Sequence, residues 1–273
     1  MFKQCLRQSA ALALAALVLA GCQTVQTTQS GMVGVDRKQT FLVSSETVNS
    51  SSAKAYREVL QQASGKRQLN RDPAQVARVR AIAERLIRST GAFRSDAPGW
   101  TWEVSVITSK EVNAWCMPGG KIAVYTGLID RLKVTDDELA AVMGHEIAHA
   151  LREHGRERAS QQLVQGLAIG IIGIAAGLSR DTMDLSQTIL DVTFNLPHSR
   201  TDETEADRIG VELAARSGYD PRAAISLWNK MIQAGGGQPP EWLSTHPSHE
   251  RRVNDLQVYA ARVMPLFESA RQR

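Results

Sequence analysis

The chain has almost no cysteine: three residues in 273, at positions 5, 22 and 116. Cys5 falls just before an N-terminal apolar stretch and Cys22 just after it. That leaves Cys116, flanked by apolar residues, as a buried free thiol, and a disulfide scaffold is excluded. An excess of one charge is also missing, since 32 Lys and Arg face 28 Asp and Glu. With no basic cluster or stripe among them, nucleic acid is excluded as a partner. There is no internal repeat, so solenoids and propellers are excluded as well. What remains, 43% hydrophobic and 22% charged, suffices for one sizeable core.

Lys3 and Arg7 precede an unbroken apolar run from Ala10 to Leu19, the order of a secretory signal. That run is too short to cross a bilayer comfortably. Leu19-Ala20-Gly21-Cys22 then resembles the lipobox of bacterial lipoproteins, in which the Cys becomes the lipidated first residue. The expectation is a signal peptide over residues 1–21, lipid on Cys22, a flexible polar tether through residue 30 and a single domain over residues 31–273. Gln23 stands where an Asp would favour the inner membrane, and the same resemblance therefore points to the periplasmic face of the outer membrane.

Helical periodicity covers residues 53–69 and 73–89, the second behind an Asp72-Pro73 start. Alternation of Trp100, Trp102, Val104 and Val106 predicts a strand over 100–107. Extended segments over 112–117 and 121–126, separated by Pro118-Gly119-Gly120, complete a small sheet. Thr135 and Glu138 have capping-box spacing, and the helix they open is expected to run through Arg158. Between Ala159 and Ser179 no charged residue occurs, and Gly166, Gly170, Gly173 and Gly177 punctuate the run. A helix packed within the domain or a homo-oligomer, a flap beside a site and a membrane-dipping segment all fit that pattern. Helices are expected again over 202–216, over 221–233 behind Asp220-Pro221, and from Ser248 to the neighbourhood of Met264, with Gly235-Gly236-Gly237 as a hinge or loop. The fold class is therefore α+β, mostly α.

His145-Glu146-Ile147-Ala148-His149 lies inside the helix opened by Thr135. Residues four apart are offset by only about 40° and one turn of rise, so both imidazoles leave one face and can reach one ion. Glu146, rotated by about 100°, stays off the metal but can reach a water bound to it. Ala140, Ala141, Val142, Ile147, Ala148 and Ala150 make the surroundings apolar, and a buried His pair without a cation would need other polar partners. A hydrolytic zinc site takes three protein ligands and an open fourth position. The metzincin arrangement is excluded, because Arg152 and Gly155 stand where its fixed Gly and His would fall. Glu203-Thr204-Glu205-Ala206-Asp207 offers a carboxylate instead. Glu203 and Asp207 share a helix face, so Glu203 is expected as the third ligand and Asp207 as acceptor for the other N–H of a ligand histidine. Glu205 points elsewhere and is expected as a solvated surface carboxylate. His154 falls about 180° around the helix from His145, and His198 and His249 lack ligand spacing; all three are expected to be structural or exposed.

Asn113-Ala114, Pro118-Gly119-Gly120-Lys121-Ile122, Thr126-Gly127-Leu128, the 145–149 string, Ser199-Arg200, Glu203 with Ala206-Asp207, and Thr245-His246-Pro247 follow one another in a telling order. Together they resemble the gluzincin peptidase family of the CAAX prenyl protease and the heat-shock membrane protease HtpX, over about Asn113 to Arg252. With no transmembrane helices expected, the resemblance is to its soluble periplasmic lipoprotein branch, that of BepA and LoiP. It implies a zincin-like metallopeptidase domain with a small β-sheet beside the metal-binding helix. It also implies one Zn2+ per chain on His145, His149 and Glu203, with Glu146 as general base and Asp207 as acidic helper. The implied activity is hydrolysis of misfolded or unassembled envelope proteins by a lipid-anchored, membrane-attached endopeptidase. Polypeptide substrates would add in extended form to segment 121–126, expected at the sheet edge. An envelope assembly machine is a further partner the branch admits, although no counterpart of the repeat domain that follows the peptidase in BepA is expected in this sequence. His246 in that branch can swing onto the metal and close the site, with the glycines 235–237 supplying the motion. A histidine at a helix start without metal contact is the other reading. The alternative function is a chaperone-like or assembly factor that holds clients over a self-closed site; intact Glu146 argues against it.

Overall fold

The computed structural model describes residues 23–175, 185–234, 241–247 and 251–272. The expected signal segment, Cys22, the glycines 235–237, Ser248 and His249 lie outside these residues. In chain order the elements are β1 (Gln23–Val25), β2 (Gln39–Phe41), α1 (Ser45–Gly65), α2 (Pro73–Ser89), β3 (Glu103–Ile107), β4 (Ala114–Met117), β5 (Lys121–Tyr125), α3 (Thr126–Leu132), α4 (Asp136–Leu151), α5 (His154–Ala175), α6 (Leu185–Phe194), α7 (Arg200–Arg216), α8 (Ala223–Ala234), α9 (Glu241–Thr245) and α10 (Arg252–Arg271). The class is α+β and mostly helical, as the sequence implies. α2 starts where expected, with Asp72 accepting from the Ala74 and Gln75 amides and Pro73 at the first position. α1 starts earlier than its periodicity suggests, because Ser44 caps it by accepting from the Thr47 amide.

The sheet runs in the order β3-β5-β4, with β5 parallel to β3 and antiparallel to β4. This corrects the expectation that segment 121–126 forms the edge: it is the central strand, and β4 is the outer one on the side of α4. Gly119 and Gly120, at φ of 79° and 81°, turn the chain so that β5 inserts between its two neighbours. A Cβ on Gly120 would also come within 2.6 Å of the Trp102 ring. Trp100 and Trp102 stack on each other, with centroids 5.4 Å apart, ahead of β3 instead of inside it. The strand therefore begins only at Glu103.

α4 is buried from Glu138 to Leu151, with no face left to solvent, as befits a helix at the centre of the core. Its start is the reciprocal pair read from the sequence: Thr135 Oγ1 accepts from the Glu138 amide at 3.2 Å, and Glu138 Oε2 accepts from the Thr135 amide at 2.9 Å. It crosses α7 backbone against backbone at Gly144 and Gly210. A Cβ on Gly210 would lie 2.8 Å from the His145 nitrogen, and one on Gly144 would lie 2.9 Å from the Gly210 carbonyl oxygen. This crossing sets the His145 turn against the helix that carries Glu203. Gly210→Ala is expected to cost about 1–3 kcal/mol by overpacking and to move the two helices apart. Thermal melts together with metal content per chain check both effects; full metal uptake by a folded variant would remove the positional role of the crossing.

α4 does not run through Arg158. Glu153, at φ 53°, turns the chain in the left-handed region, and α5 restarts at His154. The turn is held from outside: Arg94 and Arg156 each donate to one Glu153 carboxylate oxygen at 2.6 Å. Residues 23–30, expected as a tether, are instead docked. β1 pairs with β2 in antiparallel register, Thr28 is buried, and Arg152 donates to Thr27 Oγ1 at 3.0 Å. Of the segment 159–179, residues through Ala175 are helical and the rest lie outside the description. Among the described residues, no helix is long and apolar enough to cross a membrane.

Candidate metal centre

α4 presents His145 and His149 one turn apart, and their Nε2 atoms lie 3.1 Å from each other. Glu203, in the first turn of α7, brings Oε1 to 3.4 Å from His149 Nε2 and Oε2 to 3.8 Å from His145 Nε2. His246, just after α9, completes a buried group whose four ligand atoms all lie within 4.8 Å of one another. Glu203 Oε1 and His246 Nε2 are buried and have no hydrogen-bond partner among the described residues. Each such atom carries a desolvation penalty that a shared cation would relieve.

The tautomers point the same way. Asp207 Oδ1 lies 3.0 Å from His145 Nδ1, and a carboxylate there calls for Nδ1–H. His246 Nδ1 lies 3.0 Å from the Trp242 carbonyl, which can only accept, so its Nε2 also carries a lone pair. Burial pushes the pKa values of His145, His149 and His246 well below the usual imidazole range, with neighbouring positive charge adding to the effect at His145 and His149. Lone pairs on unprotonated imidazoles facing one another repel unless a cation sits between them. Two nitrogens bonded to zinc at 2.0–2.1 Å in a tetrahedron stand about 3.3 Å apart, close to the spacing of the His pair. The donor set of imidazoles and one carboxylate thus fits zinc.

Arg252 is the residue that sequence reasoning passed over. Fully buried, it donates from Nη1 to Glu203 Oε2 at 2.6 Å and from Nη2 to Asp207 Oδ1 at 2.7 Å, and it lies 3.8 Å over the Trp228 ring. Occupying Glu203 Oε2 leaves Oε1 as the oxygen facing the imidazoles. Burial raises the Glu203 pKa, opposed by the charge and hydrogen bond of the Arg252 guanidinium. No local pattern marks Arg252, because its partners lie on another helix.

Glu146 is turned from the His pair toward Trp242, whose Nε1–H donates to Glu146 Oε1 at 2.7 Å. Burial raises its pKa well above the usual carboxylate range, while the Trp242 hydrogen bond works the other way. A base for neutral-pH chemistry needs such a shift. Trp242 also stacks on His246, with centroids 4.3 Å apart. A cavity of about 30 Å³ adjoins Glu146, His149, His198 and His246, walled by Trp115 and Cys116 of β4 and by Val192 and Thr193 of α6. It has room for a water but none for a peptide. Cys116 is the buried free thiol expected.

Two expectations fail here. Glu205 is not solvated: it is buried and accepts from Arg37 Nε at 2.6 Å and Arg152 Nε at 2.9 Å, with His154 Nε2 at 3.0 Å. Nor does His154 face away. The break at Glu153 returns it to α4, where its Nδ1 lies 2.9 Å from His149 Nδ1. His198 lacks a described ligand contact, yet its ring centroid is 4.1 Å from that of His149 and Arg158 Nη1 is 3.1 Å from its Nδ1.

Fold and geometry alike are those of a metallopeptidase. A sequence model of Peptidase family M48 matches residues 73–260, more than half of the chain, and the chain belongs to that family. It is 37% identical over 216 residues to the mitochondrial metalloendopeptidase OMA1 of Bos taurus, an alignment covering 74% of this chain and 40% of that protein. Identity to the Arabidopsis thaliana OMA1 is 40% over 162 residues, covering 59% and 32%. To the beta-barrel assembly-enhancing protease of Escherichia coli it is 29% over 219 residues, covering 76% and 43%. The chain thus spans between 32% and 43% of the length of these relatives. The family expectation holds, but the branch does not carry the higher identities. The expected position at the periplasmic face of the outer membrane is overturned: relatives at 35–40% identity are named as mitochondrial proteins.

Proposed function

We propose that this chain is a zinc-dependent endopeptidase in which His145, His149 and Glu203 hold the ion and Glu146 is the general base. The observation that carries the reading is the pair of imidazole nitrogens at 3.1 Å with the partnerless Glu203 Oε1 beside them. When bound, the ion supplies a Lewis acid that acidifies water and polarises a carbonyl. Glu146 takes the proton of the attacking water and delivers it to the leaving amine. Trp242 fixes one Glu146 oxygen, leaving the other for that transfer. Asp207 and Arg252 hold His145 and Glu203 at the ion. β4, the outer strand beside α4, is buried from Ala114 to Met117; once the residues packed over it move aside, its main chain would pair with an extended polypeptide without regard to sequence, which suits misfolded or unassembled proteins as substrates. Membrane attachment through lipid on Cys22 belongs to the same proposal and rests on Leu19-Ala20-Gly21-Cys22. Casein-type proteolysis by the protein, with and without a chelator and with zinc restored, tests the activity. Equal turnover in all three conditions would sink it.

A second reading has its own observation. The partnerless His246 Nε2 lies in the position of a fourth donor, and the adjoining cavity is too small for a peptide, which is what a self-closed holding factor requires. His246→Ala separates the two. If His246 keeps the site shut, the variant is expected to gain activity about tenfold for each ~1.4 kcal/mol of closure removed. If His246 instead assists the reaction, activity falls.

A further inference from the structure

His149 is supported differently from its partner. His145 meets a carboxylate directly, whereas His149 Nδ1 meets the Nδ1 of a second buried imidazole, His154, at 2.9 Å. His154 Nε2 in turn lies 3.0 Å from Glu205 Oε2, and Glu205 is pinned by Arg37 Nε at 2.6 Å and Arg152 Nε at 2.9 Å. None of His154, Arg152 or Glu205 is exposed.

We propose that His154, backed by Glu205, is the positioning residue of His149, fixing its tautomer and ring orientation so that its Nε2 lone pair faces the ion. Glu205 can only accept while ionised. The guanidiniums of Arg37 and Arg152, donating to its two oxygens at 2.6 and 2.9 Å, occupy it as a carboxylate, so it can only accept from His154. His154 therefore carries its proton on Nε2, and its Nδ1 holds a lone pair. His149 must then donate from Nδ1, which leaves Nε2 free to ligate. The opposite arrangement would put the His154 Nε2 lone pair against a carboxylate and a proton on His149 Nε2, where the other ligands converge. The break in α4 acquires a purpose in this light. On an uninterrupted helix His154 would stand about 140° around from His149; the left-handed Glu153 brings it back. The segment between β1 and β2 contributes too, since Arg37 is what locks the outer end.

This inference rests on the zinc reading above, and its test keeps the two apart. Long-range ¹H–¹⁵N correlation on the histidine-labelled full chain, in chelator and again with zinc, reads the tautomers directly. The expected result, already in chelator, is Nδ1–H on His149 and Nε2–H on His154; a proton on His154 Nδ1 overturns the proposal whether or not zinc binds. Zinc affinity by chelator competition then compares His154→Phe, which cannot accept, with His154→Gln, which can accept from His149 and donate to Glu205. The Phe variant is expected to lose about 10–100-fold in affinity and the Gln variant to recover most of it. Melts in chelator show whether each variant is folded. A folded Phe variant with parental affinity also overturns the inference, and if that variant does not fold, the parental spectrum decides. Failure of the parent to take up zinc would count against the metal reading alone.

Discussion

Glu146→Gln is expected to lower kcat/KM on a peptide substrate by about 10²–10⁴-fold with zinc content unchanged. Glu146 is not in the group of four converging ligand atoms, so its replacement removes no donor to the ion. The amide oxygen of Gln can still accept from Trp242 Nε1–H, which now meets Glu146 Oε1 at 2.7 Å. What the amide cannot do is take a proton from water. The fold should be kept, and the metal-free variant should melt no lower than the parent, because burial already disfavours the charged form of this carboxyl group. The loss should fall on kcat with KM nearly unchanged, the signature of an interaction made only in the transition state. A variant that is folded, metal-loaded and still within a few-fold of parental turnover would mean that another residue is the base.

Local spacing made the centre legible, and distance along the chain set the limit. The His pair, the glutamate between them and the carboxylate on a second helix all follow from angles on a helical wheel, which depend on neighbours three to five residues away. The same wheel correctly turned Glu205 away from Glu203 but could not say what it would meet. Its partners are Arg37, 168 residues away, and Arg152, 53 residues away, and they convert an expected surface carboxylate into a buried ionic centre. His154 was misplaced for a related reason. The nearest helix-stop residue, Gly155, falls just inside the next helix and not at Arg152 or Glu153, where the chain breaks, and the turn is held by Arg94 and Arg156 closing on Glu153. Strand order escaped as well. Alternation marks a strand without saying which edge pairs, and β5 in the middle follows from the parallel pairing with β3, which no two-residue turn announces. The docked residues 23–30 read as a tether because polar, low-complexity sequence carries no sign of the arginine that will bind it.

Arg252→Ala should be the most destabilising single change near the site, about 3–5 kcal/mol. Removing the guanidinium leaves Glu203 and Asp207 buried without the cation that neutralises both, since Nη1 serves one and Nη2 with Nε serves the other. It also leaves the Trp228 face bare, on which the guanidinium now lies at 3.8 Å. Arg252→Lys should recover only part of the loss, because a single ammonium cannot fork between two carboxylates. The zinc reading adds a further expectation that a merely structural arginine would not produce. With the ion bound, Glu203 has a second source of positive charge that does not depend on Arg252. The melting-temperature gap between parent and Arg252→Ala should therefore be smaller in zinc than in chelator. A gap of the same size in both conditions would show that the charge on Glu203 is not shared with a metal, and the ligand role given to that carboxylate would have to be withdrawn.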